Sequence, residues 1–304
     1  MFMTCVASLL VALYASSANR QRDFQFKFKS SKTQCEATQV AEPGGFGSQY
    51  QNIIQTALYA EWTTKLFCVT PITFVAHNYD SRDTFVREIN EMLALPKLSD
   101  RQFYCLFVES CQLRLETNIY FIENKKKWFD DFIKVKEHAD FAKLFLQKIG
   151  RTTLNHLRHK TKGKHAVVHI RRPNTHDNDN DTRNHLNDLE YCYAMRLVQA
   201  SYPGIVFSIY SQGVRESFEL FEDDARISLH LNEALNATFL QMVRADVLIM
   251  ARSSLSYTAG LLSEGEVWGD ATFWHTFPYY WKTFERNAIS PKEPCLLPAH
   301  EENG

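Results

Sequence analysis

The feature that most constrains this fold is a regular alternation of short apolar runs and helical patterns in the second half of the chain. Apolar runs typical of buried strands lie at 165–170, 205–210, 227–231 and 247–250, and helical patterns follow at 189–200, near 216–221, at 233–243 and at 256–262. Strands that alternate with helices favour parallel, right-handed βαβ units. The second half is therefore predicted to be one α/β domain with a parallel sheet.

The first half carries a weaker version of the same pattern. Gly44-Gly45-Phe46-Gly47 precedes a helical pattern whose apolar face includes Tyr50, Ile53, Ile54, Ala57 and Leu58, and a strand-like run follows at 66–69. Ser81 can cap a second helix that ends before Pro96, and a helix is predicted at about 138–158 with Phe141, Leu144, Phe145 and Ile149 buried. The stretch 99–136 is left unassigned. We expect two Rossmann-like domains, at 21–155 and 156–304, behind an N-terminal segment at 1–20.

Composition limits the partners of this chain. Its 304 residues carry a formal net charge of −1, so no overall attraction draws it to nucleic acid or to an anionic membrane. The stretch 1–18 resembles a secretory signal without a cationic start, and its apolar core is too short to span a membrane. Membrane association, and a place in the secretory pathway or Golgi, are expected only if this segment is a signal or anchor; otherwise a cytoplasmic location is expected. The seven cysteines contain no C-x-x-C pair, which indicates neither a zinc site nor a dense disulfide framework.

The strand at 165–170 ends in two adjacent arginines, Arg171 and Arg172, and contains His169. An arginine presents a planar fork of donors that matches phosphate in a bidentate way and keeps its charge at all pH values near neutrality. The arginine pair therefore favours a nucleotide diphosphate as the ligand at this strand end. The alternative is that these are surface arginines and that one of them forms a salt bridge.

Two further strands are followed by polar loops. Ser211 and Gln212 follow the strand at 205–210, and Arg252, Ser253 and Ser254 follow the strand at 247–250. The second of these loops opens a helix, where free amides and the positive end of the helix dipole favour an anion. Serines at such turns most often serve as helix caps. Because ligands of parallel sheets bind at the carboxyl ends of the strands, the loops together predict one donor-rich pocket.

Three segments resemble motifs of one enzyme group. Gly44-Gly45-Phe46-Gly47-Ser48-Gln49 resembles a G-G-x-G-x-Q loop, and His169-Ile170-Arg171-Arg172 resembles an H-x-R-R-x-D motif. Ala245–Ile249, followed by Ser253-Ser254, resembles a third motif, A-D-x-x-I-x-x-x-S-S. In this order, over about 45–275, they resemble the GT-B fucosyltransferase-type glycosyltransferases, which include α1,2- and α1,6-fucosyltransferases and protein O-fucosyltransferases.

The resemblance implies two Rossmann-like domains facing a cleft, with an acceptor-side domain at 21–155 and a nucleotide-sugar domain at 156–304. It also implies inverting, metal-independent transfer of a sugar to a hydroxyl of a glycan or glycoprotein, with no cofactor besides the nucleotide-sugar substrate. Arg171 would hold the β-phosphate of the donor, Ser253 and Ser254 would bind the same diphosphate, and Gly45 and Gly47 would face the cleft. The other residues predicted to bind the donor are His169, Arg172, Ser211, Gln212 and Arg252. Asn174 stands where the group has aspartate, so both fucose from GDP-fucose and another sugar, such as xylose from UDP-xylose, stay open.

Asp177 and Asp179 follow the arginines and are the candidate general bases, with Asp177 preferred; positions near Gly47 or His77 are the alternative. Asp177-Asn178-Asp179 also has the D-x-D form of a metal clamp in metal-dependent GT-A enzymes. A non-catalytic nucleotide- or glycan-binding module of the same fold is a further alternative. The late aromatic run, Trp274 to Trp281, fits a C-terminal helix packed on the core better than a sugar-stacking surface.

Overall fold

The computed structural model describes residues 44–63, 67, 72–75, 85–92, 119–154, 164–172 and 185–298. Its α-helices are α1 Phe46–Trp62, α2 Phe85–Met92, α3 Ile119–Phe132, α4 Lys136–Leu154, α5 Asp188–Ser201, α6 Leu235–Arg244 and α7 Ser254–Leu262. Its strands are β1 His165–His169, β2 Val206–Ser211, β3 Ile227–Leu231, β4 Val247–Ile249, β5 Glu266–Asp270 and β6 Lys282–Phe284, and a 3-10 helix covers Arg215–Phe221.

The strands form one six-stranded parallel sheet in the order β3-β2-β1-β4-β5-β6. The prediction of a parallel α/β domain in the second half is thereby confirmed, and this strand order is that of a Rossmann fold. The chain adds β2 and β3 on one side of β1 and then crosses back to add β4, β5 and β6 on its other side. The register of β1 with β4 pairs Val168 with Ile249, so the residues after both strands leave the sheet at the same level. The structure thus has a topological switch point between β1 and β4, where ligands of such sheets bind.

Successive side chains of each strand point to opposite faces of the sheet, and a different set of helices covers each face. On one face, Val168, Ile209 and Ile249 are fully buried against α5 and the 3-10 helix, with Tyr191 and Phe218 in the same core. On the other face α6 packs against β1, and α7 packs against α6. Burial of both faces explains why the strands read as nearly continuous apolar runs.

The helices of the first half pack on the sheet domain. Both α1 and α4 lie against α7, and α4 also contacts α6. On α4, Phe145 and Ile149 are buried as predicted, whereas Leu144 is 63% exposed, because it lies about 100° around the helix from Phe145. Of the predicted strand at 66–69 only Phe67 is described, so a second sheet, the two-domain GT-B arrangement and the boundary at 155/156 stay predictions.

The late aromatic run is not a helix, and the prediction of a C-terminal helix there is wrong. Residues 271–281 form turns that connect β5 to the parallel strand β6. Pro278 disfavours helical backbone at the residue before it, which breaks the helical pattern in the middle of the run. The aromatic side chains still pack inward: Tyr257 of α7 is fully buried and contacts the rings of Phe273, His275 and Trp281.

A disulfide joins Cys192 of α5 to Cys295 near the end of the described chain, a pairing the cysteine spacing did not indicate. The same side of α5 holds this segment by hydrogen bonds. Arg196 donates to the carbonyls of Pro294 and Cys295, and Gln199 exchanges two hydrogen bonds with the backbone of Leu297. The terminal segment is therefore fixed onto the sheet domain.

No helix in the described ranges is long and apolar enough to cross a membrane. The N-terminal segment at 1–20, for which a signal or anchor and an N-terminal strand or helix of the fold are the alternatives, lies outside those ranges.

Candidate active site

The candidate site lies at the carboxyl edge of the sheet, around the switch point. Residues 170–172 follow β1 and residues 250–253 follow β4, and the two strands are paired neighbours. The end of β2 is tied to the same place, because the buried hydroxyl of Ser211 donates to the carbonyl oxygen of Ile170 at 2.7 Å. Three of the predicted loops are thereby brought together.

The two arginines after β1 have different surroundings. Arg172 donates through Nη2 to Asp188 Oδ2 at 3.0 Å and to the carbonyl of Ser217 at 3.0 Å. Its guanidinium carbon also lies 4.5 Å from the ring centre of Phe218. This arginine therefore ties the end of β1 to the start of α5 and to the 3-10 helix. The salt bridge that the sequence offered as an alternative to phosphate binding is formed by Arg172.

Arg171 is half-buried, at the same strand end. Its positive charge reaches the imidazole of His169, two residues back on the strand. The arginine that the motif assigns to the β-phosphate thus lies close enough to a buried, neutral imidazole to affect its pKa.

His169 is the last residue of β1 and is 8% exposed. Burial, together with the charge of Arg171, lowers the pKa of His169 to about 4. The imidazole is therefore uncharged near neutral pH. Within the part of the chain that the structure describes, its Nδ1 has no hydrogen-bond partner. A neutral ring can offer one donor and one acceptor to a ligand at this edge.

The helix after β4 provides the second element of the site. Ser253 caps α7, its hydroxyl accepting from the amide of Leu255 at 3.2 Å. Ser254 is the first residue of the helix and is half-buried. Ser253 is thus the helix cap that such serines were expected to provide. The positive end of the α7 dipole lies beside β1.

The glycine-rich segment lies directly against this helix start. A Cβ placed on Gly47 would come within 2.4 Å of the Leu255 amide nitrogen and 2.7 Å of the Ser254 carbonyl carbon. The carbonyl of Gly47 accepts a hydrogen bond of 3.0 Å from Thr258 on α7. Gly45 is the residue before α1 and is half-buried. Segments about two hundred residues apart in sequence therefore meet at one edge, and the absence of a side chain at Gly47 permits the contact.

Arg252 turns away from the switch point. It is 8% exposed and donates through Nη1 to Asp270 Oδ2 at 2.5 Å and to the hydroxyl and carbonyl of Thr272 at 2.7 and 3.0 Å. It thereby fixes the turn after β5 to the end of β4. These contacts do not test the role at the donor that the sequence predicts for Arg252, and that role stays a prediction.

The loop after β2 is held from β3. Asn232, with φ of 58°, exchanges two hydrogen bonds of 3.0 and 2.9 Å with the backbone of Gly213. Its own amide donates to the carbonyl of Ser211 at 2.9 Å. Gln212 is exposed between these anchored residues. The end of β2 thus presents a short, fixed polar edge beside β1.

Two supporting residues were missed from the sequence. Buried Gln49 donates to the carbonyls of Gly44 at 2.8 Å and Phe74 at 2.7 Å, which ties the glycine-rich segment to residues 72–75. Its position in the G-G-x-G-x-Q pattern was the available signal. Asn232 is of a type that adopts positive φ more readily than most, and it stands just after a strand.

Asp177, Asp179 and His77, the candidates for the general base, lie outside the described residues. Among the described residues, no group of three or more His, Cys, Asp or Glu side chains is arranged to hold a metal ion.

No protein-family model and no curated protein matches this chain. Among solved structures, the chain is similar to the fucosyltransferase NodZ from Bradyrhizobium, with 11% sequence identity and a TM-score of 0.39, over 76% of this chain and 93% of that one. It is also similar to NodZ alpha-1,6-fucosyltransferase soaked with GDP-fucose, with 10% identity and a TM-score of 0.38, over 79% and 96% of the two chains.

Proposed function

We propose that this protein is a glycosyltransferase that moves a sugar from a nucleotide diphosphate donor to a hydroxyl of a glycan or glycoprotein. The observation that carries the proposal is the pairing of β1 with β4, which brings Arg171 to the same edge as the start of α7. A guanidinium and a helix N-terminus are both complementary to a diphosphate.

The glycine-rich segment adds a second support. Gly47 is packed on the first turn of α7, so the glycine-rich segment reaches the edge of the sheet where the diphosphate is proposed to bind. Backbone amides can approach phosphate oxygens closely where no side chain intervenes. The motif resemblance assigns the same role to Gly45 and Gly47.

In the proposed reaction the acceptor oxygen forms a bond to the anomeric carbon of the donor sugar. The bond from that carbon to the phosphate oxygen breaks, and the electron pair leaves with the nucleoside diphosphate. The acceptor proton passes to a carboxylate, for which Asp177 is our first candidate and Asp179 the second. Arg171 and the α7 dipole offset the charge that develops on the leaving diphosphate, so the chemistry requires no bridging cation. The donor is GDP-fucose or another nucleotide-sugar such as UDP-xylose.

Thermal unfolding with GDP, UDP, CDP and their sugars tests the donor site. We expect one diphosphate to stabilise the fold by about 2.7 kcal/mol at 100 times its dissociation constant. Arg171→Lys should remove most of that stabilisation, because an ammonium cannot reproduce a bidentate contact. Arg226→Lys is the matched control: it weakens a half-buried ion pair to Asp224 just before β3, at the opposite edge of the sheet, and is expected to lower the unfolding temperature without changing nucleotide affinity. Equal nucleotide affinity of wild type and Arg171→Lys would contradict the assignment.

Slow hydrolysis of the bound donor in the absence of acceptor separates an enzyme from a non-catalytic binding module. We expect hydrolysis to continue in EDTA. Loss of hydrolysis in EDTA that manganese restores would instead support a metal clamp at Asp177-Asn178-Asp179, as in GT-A enzymes.

A further inference from the structure

Trp274 is an exposed aromatic side chain in the turn after β5, with 42% of its surface open. The indole stacks on the ring of Phe273, with 4.2 Å between the ring centres and an angle of 26° between the ring planes. The guanidinium carbon of Arg252 lies 5.7 Å from the indole centre. Arg252 is itself buried and bonded to Asp270 and Thr272. The indole is therefore backed by fixed groups while part of it faces outward.

The turn that carries Trp274 borders the candidate site. Arg252 immediately precedes Ser253, the cap of α7. The next residue after the tryptophan, His275, lies with its Nε2 3.1 Å from Gln51 Nε2, one helical turn beyond Gly47 on α1. The residues on both sides of the tryptophan thus contact α1 and α7, because His275 lies against Gln51 and both Phe273 and His275 stack on Tyr257.

Strand order indicates which end of a donor would lie near this tryptophan. In folds of this order the ribose side of a nucleotide lies toward the end of the second strand, and the phosphates lie at the switch point. Here the end of β2 presents the polar groups of Ser211 and Gln212, with Asn232 behind them. A nucleotide laid out in this way directs its transferred sugar away from β2, toward the side of β4 and β5 where Trp274 lies.

We infer that Trp274 is a stacking platform for a sugar ring of the acceptor, within the expected nucleotide-sugar domain but beside His275, which contacts α1 of the expected acceptor-side domain. This inference rests on the proposed function and narrows its substrate class, because a ring platform suits a glycan rather than a serine or threonine hydroxyl of a polypeptide. Aromatic rings bind the apolar face of a sugar with specific geometry, and a ring that is already fixed loses little freedom on binding.

The chain contains a matched control for the test. Trp62 has nearly the same exposure, 44%, but it is the last residue of α1. It lies 15 residues beyond Gly47, which is about 22 Å along the helix axis. Trp62→Phe removes an equally exposed indole away from the sheet edge, and Trp274→Phe tests whether any aromatic ring suffices.

The test titrates the nucleoside diphosphate-saturated protein with cello-, malto-, manno- and chitohexaose, by calorimetry and by tryptophan fluorescence. We expect at least one hexasaccharide to bind at millimolar concentration or below and to change the fluorescence of wild type and Trp62→Phe. Trp274→Ala should weaken this binding by roughly tenfold, and Trp274→Phe should restore most of it.

Nucleoside diphosphate affinity should be the same in all these variants. Three results would overturn the inference. In the first, no hexasaccharide binds, and in the second, one binds with equal affinity to wild type and Trp274→Ala. In the third, nucleotide affinity is lower in Trp274→Ala, which would assign the ring to the donor base instead. If no nucleoside diphosphate binds to wild type at all, it is the proposed function that fails, which distinguishes the two failures.

Discussion

Gly47→Ala probes the contact between the glycine-rich segment and α7. The added methyl carbon would lie 2.4 and 2.5 Å from the amide nitrogen and Cα of Leu255, and 2.7 Å from the carbonyl carbon of Ser254. Ordinary carbon contacts are about 3.5 to 4.0 Å, so the two segments must separate by roughly 1 Å. The obstructing atoms are backbone and cannot rotate away. Separation also strains the hydrogen bond from Thr258 to the Gly47 carbonyl.

The cost follows from these two effects. Overpacking of a close-packed contact costs about 1 to 3 kcal/mol, and a weakened buried hydrogen bond adds about 1 kcal/mol. We therefore expect Gly47→Ala to lower the free energy of unfolding by about 2 to 4 kcal/mol. Because the start of α7 moves with respect to α1, nucleotide affinity should also fall.

Gly44→Ala is the control three residues earlier. Its added carbon would lie 2.7 Å from Ser48 Oγ, the end of a side chain that can rotate. Rotation gives up the hydrogen bond of 2.9 Å from this hydroxyl to the Gly45 carbonyl, so we expect a loss of about 1 kcal/mol or less. Urea unfolding of both variants, with nucleotide titration, measures the difference. Equal stability of Gly47→Ala and wild type would refute the close packing on which the site is built.

Three further predictions concern other parts of the molecule. The pKa of His169 is about 4 in the folded chain against an ordinary value of 6.5, so the unfolded state binds the proton first. Folding stability should therefore decrease by about 3 kcal/mol as the pH falls from about 6.5 to 4, and this slope should flatten in His169→Leu; an unchanged slope in urea unfolding curves would contradict the assignment. The Cys192–Cys295 disulfide joins residues 103 positions apart, so its reduction should lower the free energy of unfolding by about 4 to 5 kcal/mol. Reductant should not change the stability of the Cys192→Ala/Cys295→Ala double variant. The same response to reductant in wild type and double variant would argue against the bond. Asp177→Asn should lower turnover by about 10² to 10⁴-fold at unchanged donor affinity, and full turnover in both Asp177→Asn and Asp179→Asn would place the base elsewhere.

The sequence by itself determined the class of the second half. Strand runs buried on both faces, separated by helical patterns, permit few arrangements besides a right-handed parallel sheet, and β3 was predicted at its observed bounds, Ile227–Leu231. Because strand ends of such a sheet share one edge, the sequence also predicted that the loops after β1, β2 and β4 would meet. Local periodicity and handedness suffice for these conclusions.

Only the tertiary structure decided which partners the side chains at that edge have. Arg171 and Arg172 are adjacent and chemically alike, yet Arg172 pairs with Asp188, a partner 16 residues away. Arg252 follows β4 in the sequence, and only the structure shows that Asp270 and Thr272 lie beside its guanidinium. The spacing of the aromatic run after β5 permits a helix, whereas the parallel pairing of β6 with β5 requires the chain to turn back between them and leaves Trp274 exposed. Such contacts depend on residues distant in sequence, whose relative positions no local pattern specifies.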